Sequence, residues 1–375
     1  MTKEKIVQTS AQPIIPDETE VIDAQPWRSV RPPWEDFGAT NVDEDAKRKP
    51  ASPEKIKEMD QRMTELGSAF EGSDVRWHLD GALNISLLRG LSSEGEANYI
   101  GYHKDVDLSV EKADLEKMEA QLLAHGYGFF LSTIDAKTGE KIERRVGYKT
   151  FGSLESEHRL VCAIDENGGL VEGAVLSAVD LHLITRDEEG QALGIHGVPI
   201  PEKWVQPYPI DFKGHQINIS HPGKILYYKL HQGRDYDFTD IDRLVETGKL
   251  TVEDVDDVAE AYEKEFKANL IRARKRFAPI SAEITADTTP EQIADLFFKD
   301  EEFSRAGEAN RPTFVELGKR LLASGDTSVD NMITIAVDLF KAEEQNDVMR
   351  QKIVKIRKKV EAQGALKSVR KKMAS

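Results

Sequence analysis

The chain has a single cysteine, Cys162, among 375 residues. One thiol forms no internal disulfide and cannot build a cysteine-based zinc cluster. Its apolar neighbours, Leu160, Val161 and Ala163, mark it as a core side chain rather than a nucleophile. No apolar run approaches the roughly 18 residues that a membrane span needs. Met1-Thr2-Lys3-Glu4-Lys5 opens without the apolar stretch of a secretory signal. A cytoplasmic protein with no membrane partner is therefore expected. Basic residues are the minority, 51 Lys and Arg against 67 Asp and Glu, for a formal net charge of -16. That excludes a bulk nucleic-acid coat and leaves only a local basic patch open. The nine histidines show no paired spacing of the kind that binds zinc on one helical turn.

Hydrophobic residues make up 39% of the chain, enough to build a sizeable core. The length implies two or three domains. Six of the fifteen prolines fall within residues 1–50, where no apolar period lasts. This stretch is expected to be a disordered N-terminal segment, with too little apolar surface to offset the entropy of ordering. Its removal is expected to leave the melting temperature nearly unchanged by calorimetry. A large fall would mean that Trp27 or Trp34 docks into the folded part.

Residues 51–250 read as one mixed domain. Ser52-Pro53 opens a helix running to about Phe70, with a capping hydroxyl and a proline at its first position. Val75–Leu79 reads as a strand and Ala82–Arg89 as a helix. Asp105–Val110 alternates strictly, as a half-buried strand does. Leu115–Ala124 is an amphipathic helix, and further strands are expected at 127–132, 145–151, 159–165 and 174–185. Residues 251–375 form a helical region, with helices at Val252–Phe277, Pro290–Phe298, Thr313–Ala323 and Val329–Gln363. Its end is basic: residues 349–375 hold ten Lys or Arg and one acid, Glu361. A solvated face or an acidic partner such as RNA accounts for such a run.

Several features carry chemistry. Asp105 and Asp107 share one face of their strand, because side chains alternate. Two carboxylates so placed repel unless they are solvated or share a cation. Magnesium suits such a pair, taking a few carboxylate oxygens and completing its octahedron with water and phosphate. Upstream, Asp80-Gly81-Ala82 lies between strand and helix, where a glycine lets the backbone approach a phosphate closely. Downstream, Asp180 and His182 share a strand face. Lys229 and Arg234 are basic residues of a type that holds triphosphates, with acids nearby to orient them. His103 and His182 are further candidate bases.

Taken in order, Gly81, His103-Lys104-Asp105-Val106-Asp107-Leu108, Gly126-Tyr127, Val179-Asp180-Leu181-His182, Lys229 and the Arg234/Asp237/Asp240 spacing resemble the nucleotidyltransferase superfamily of the DNA polymerase beta type. The resemblance covers residues 72–246. It is strongest to the minimal bacterial members, the aminoglycoside and lincosamide nucleotidyltransferases and related abortive-infection toxins. It implies an α+β fold, a mixed β-sheet flanked by helices, with the helical C-terminal region appended. It also implies that Asp105 and Asp107 bind two magnesium ions, with Asp180 as third ligand or base. Gly81 and Ala82 would lie beside the phosphates, and Lys229 and Arg234 would contact them. The activity implied is transfer of a nucleoside monophosphate from a nucleoside triphosphate, such as ATP, to a small molecule or RNA. The resemblance also admits a toxin acting on tRNA with an antitoxin partner, or an inactive nucleotide-binding module. Ala82 departs from the family's usual Gly or Ser, and the loop from Gly90 to His103 is longer than the usual connector.

Overall fold

The computed structural model describes residues 51–90, 99, 101, 103, 106–134, 141–153, 158–171, 174–176, 179–233, 235–299 and 311–374. The N-terminal segment, Asp105 and Arg234 lie outside the described residues.

Helix α1 (Pro53–Phe70) starts where the Lys55 backbone N–H donates to the Ser52 hydroxyl. It lays Met59, Met63, Leu66 and Phe70 on the main core. Then come β1 (Trp77–Leu79), α2 (Leu83–Leu88), β2 (Val106–Glu111), α3 (Leu115–Ala124), β3 (Tyr127–Ile134) and β4 (Lys141–Arg145). After α4 (Tyr148–Ser153) follow β5 (His158–Ala163), β6 (Val179–Arg186), β7 (Ala192–Leu193), β8 (Tyr208–Phe212) and β9 (His215–Ile219). The strands form one mixed sheet in the order β4-β3-β5-β6-β2-β1-β9-β8, with β7 added beside β6. Strand β2 runs parallel to β6 and antiparallel to β1.

A strand at 145–151 is not what forms. The ladder between β3 and β4 ends where Arg145 faces Phe130. The chain then turns into α4, which stacks Phe151 on Phe129 with ring centroids 4.1 Å apart. Burying that aromatic outweighs extending the edge strand.

The remaining helices are α5 (Pro222–Gln232), α6 (Asp235–Thr247), α7 (Val252–Glu283), α8 (Pro290–Phe298), α9 (Arg311–Ser324), α10 (Val329–Leu339) and α11 (Ala342–Ala374). The expected helix at 329–363 is broken in two. Phe340 and Ala342 are buried on either side of Lys341, which takes a left-handed conformation at φ 50°. Packing of these two side chains offsets the local cost of that turn.

Among the described residues two large hydrophobic cores form, beside a small cluster of Phe130, Leu160 and Cys162. The first joins the sheet to α1, α2, α3, α5 and α6, to Val255, Val258 and Ala261 of α7, and to Ile353, Ile356 and Val360 of α11. The second joins Phe277 of α7 to Phe297, Phe314, Met332 and Phe340. Helix α7, 32 residues long, runs through both. Three basic side chains of α11 are bound by acids of α6 and α7. Arg350 meets Glu263 at 2.5 Å, Arg357 meets Asp256 at 2.7 Å and Lys359 meets Asp242 at 2.5 Å.

Candidate active site

The parallel register of β2 and β6 sets Asp107 directly opposite Asp180, and Ser109 opposite His182. Strand β1 adds His78 opposite Ser109. Because side chains alternate, these five share one face of the sheet, while Val106, Leu108 and Val110 are buried on the other. Adjacent strands lie about 4.8 Å apart, so the two carboxylates are neighbours.

Just beyond β1 the chain turns over Asp107. The Asp80 backbone N–H donates to the Asp107 carbonyl oxygen at 2.8 Å. Gly81 follows with φ 71°, and a Cβ built there would lie 2.7 Å from Asp107 Oδ2. Both the backbone angle and the missing space require glycine. Asn84 holds the turn from behind. Its Nδ2 donates to the Gly81 carbonyl at 2.9 Å, and its Oδ1 accepts from the Ser220 N–H at 3.0 Å. Gly81→Ala is therefore expected to push the turn off Asp107. The left-handed backbone costs an alanine about 1–2 kcal/mol, and overpacking adds about 1–3 kcal/mol. Denaturant titration should show a loss of that order, accompanied by a fall in any activity that uses Asp107.

The Asp80 carboxylate is the hub of a buried polar network. Lys224 Nζ reaches Asp80 Oδ1 at 2.7 Å, Ser109 Oγ at 2.9 Å and His78 Nε2 at 2.7 Å. Ser220 Oγ lies 2.7 Å from both Asp80 Oδ1 and the Leu79 carbonyl oxygen. The Ser109 hydroxyl donates to Asp80 Oδ2, and His182 Nδ1 lies 3.4 Å from the same oxygen.

Burial would raise the Asp80 pKa, but the charge of Lys224, aided by His182 and His78, holds it well below the usual carboxylate range. Burial and Lys224 together push His78 down to about 3, so its Nε2 is free to accept from the ammonium. Burial also lowers Lys224, against the pull of Asp80. Loss of solvation disfavours the charged form of His182. Its hydrogen bond to Asp80 and the charges of Asp80 and Asp107 outweigh that and raise its pKa.

The other sequence-derived candidates fall elsewhere. Ala82 is buried at the start of α2 and caps it with no side-chain hydrogen bond. Lys229 does not face these acids. It lies five residues beyond Lys224 on α5, about 140° round the helix. Its ammonium is buried between Asp237 at 2.5 Å and Asp240 at 3.0 Å. It joins α5 to α6 rather than presenting a charge to phosphate. His103 is held through its backbone, by Arg62 at its carbonyl and by Met59 Sδ at its N–H.

No family model matches the chain, and no curated protein does either. The chain is similar to three solved structures. A lincosamide antibiotic adenylyltransferase, LnuA, with lincomycin bound shares 15% identity, covering 52% of this chain and 98% of its own, with a TM-score of 0.30. The antibiotic-resistance factor ANT(2'')-Ia shares 12%, covering 57% and 95%, with a TM-score of 0.34. An antigenic nucleotidyltransferase-like protein from Paracoccidioides brasiliensis shares 14%, covering 54% and 79%, with a TM-score of 0.28. At these scores the functional reading rests on the site's own geometry.

Among the described residues, no group of three His, Cys, Asp or Glu side chains is arranged to hold a metal ion. The pair that is present suits magnesium even so, because that ion takes one or two protein carboxylates and fills its shell with water and phosphate oxygens. Gly81 sets bare backbone against Asp107 Oδ2, so phosphate oxygens held by such an ion would meet main chain there and no side chain.

Sequence reasoning missed Lys224, Asn84, Ser109 and Ser220 as parts of this site, and took Asp80 only as turn context. One signal was there. His221-Pro222 starts a helix directly after β9, since His221 Nδ1 accepts from the Gly223 N–H at 3.2 Å. That places Lys224 in the first turn of α5, beside the strand ends.

Proposed function

We propose that this protein is a magnesium-dependent nucleotidyltransferase. It moves a nucleoside monophosphate from a nucleoside triphosphate to a hydroxyl of a small molecule or an RNA, releasing pyrophosphate. The observation that carries the reading is the Asp107–Asp180 pair, set side by side on parallel strands under a turn that excludes any side chain at Gly81.

Asp107 and Asp180 would hold the metal, with Asp105 joining them on the sequence pattern. Bound there, magnesium supplies charge neutralisation for the triphosphate and lowers the pKa of the acceptor hydroxyl. Asp180 takes the proton of that hydroxyl on a carboxylate oxygen. The hydroxyl oxygen forms a bond to the α-phosphorus. The bond from that phosphorus to the bridging oxygen breaks, and pyrophosphate leaves with the electron pair. Asp107 fixes the geometry of attack, and the bare backbone of the Gly81 turn lies beside the phosphates. His182, on the same strand face, is placed to contact the acceptor.

The test is incubation with each α-radiolabelled triphosphate and magnesium, with and without total RNA. Label is expected in a small molecule or in RNA, and chelation should abolish its appearance. No transfer to any acceptor from any of the four triphosphates would sink the reading.

A further inference from the structure

We infer that Lys224 is a positioning residue: through Asp80 and Ser109 it fixes the Gly81 turn and the β2 strand, and so sets where the Asp107 carboxylate stands. The consequence for metal binding rests on the reading given under Proposed function; the effect on the turn does not.

Lys224 sits in the first turn of α5, where the helix dipole disfavours a cation. It is also only 3% exposed. Dipole and burial both oppose a lysine here, and an apolar side chain would fill the same space. Local choices that conflict with the fold gather at functional sites. The ammonium does not point to solvent, where it would meet a phosphate. Its three protons go to Asp80 Oδ1, His78 Nε2 and Ser109 Oγ. Two of these groups bracket Asp107. Asp80 precedes the turn that overlies its carboxylate, and Ser109 is two residues further along the same face of β2. One ammonium thus ties the turn to the strand, and the Asp80 N–H bond to the Asp107 carbonyl adds a backbone link between them.

The test uses the full chain with Lys224→Met, which keeps length and removes the charge. Two readouts are taken: hydrogen exchange of the peptide covering residues 79–84, and Mn2+ affinity by electron paramagnetic resonance. A positioning role predicts faster exchange in that peptide while α8, in the second core, stays protected. It also predicts Mn2+ binding weaker by about 10–100-fold, the usual cost of losing a group that orients a metal ligand. A bystander charge predicts the reverse sign, because removing a nearby cation tightens Mn2+ binding. Unchanged exchange at 79–84, or Mn2+ affinity equal to or tighter than the parent's, overturns the inference. If the parent binds no Mn2+ while the turn loosens in the variant, the effect on the turn stands and the metal reading falls. Should Lys224→Met fail to fold, Ser109→Ala removes its contacts to Lys224 and Asp80 without removing a charge. Its turn should loosen in the same sense, and an unchanged turn overturns the inference.

Discussion

Asp107→Asn is expected to lower nucleotidyl transfer by roughly a hundredfold to a thousandfold, the usual effect of removing one group that stabilises charge in the transition state. Asparagine keeps the size of the side chain and removes one negative charge. The cation then loses an anionic ligand, and charge on the phosphoryl oxygens is less compensated. Without metal the stability should hold or rise, because Asp107 stands directly opposite Asp180 and like charges side by side repel. Single-turnover kinetics and apo denaturation measured on the same preparation check both halves. A variant that turns over at the parent rate would remove Asp107 from the reaction and with it the proposed chemistry.

Lys229→Met is expected to act on stability instead. The ammonium lies between two fully buried carboxylates, Asp237 and Asp240. Breaking a buried pair by removing one partner costs about 3–5 kcal/mol, since the remaining charges stay out of water. Chemical denaturation should register the loss. Adding Asp237→Asn and Asp240→Asn should recover much of it, because both buried negative charges are then gone. A phosphate-binding lysine would behave differently, raising the KM for the triphosphate at unchanged stability. That outcome would return Lys229 to the nucleotide site.

The two lysines of α5 show where the sequence is legible and where it is not. Asp107 and Asp180 stand out because alternation in a strand assigns faces from residue order alone. A one-residue error would flip every side chain, so the pattern has one reading. Lysines on an amphipathic helix carry no such constraint. Lys229 pairs with acids eight and eleven residues on, across the turn at Gly233, and only the packing of α5 on α6 decides that. Lys224 points inward because His78, Asp80 and Ser109 converge beneath it from two strands, a coincidence that no local spacing records. The break at Lys341 is of the same kind. Apolar residues continue through 329–342 at helical spacing, and only the burial of Phe340 in the second core reveals the turn. The helix at 148–153 was hidden for a like reason, since Phe151 finds its partner Phe129 on a strand that lies 22 positions earlier.

The return of α11 to the first core orders events during synthesis. Lys359 pairs with Asp242 across 117 residues, and Ile353, Ile356 and Val360 cover apolar surface that belongs to a core begun at α1. A ribosome adding about 5–20 residues per second takes roughly 6–23 seconds to make that stretch. Over much of that interval the sheet and its first helices are outside the exit tunnel, while their last apolar seam is still open to water. The nascent chain therefore passes through a stage with exposed core surface, which is a natural binding site for a chaperone and a period of aggregation risk. Slowing translation downstream of α7 should lengthen that stage and lower the soluble yield, whereas slowing it upstream of β1 should not.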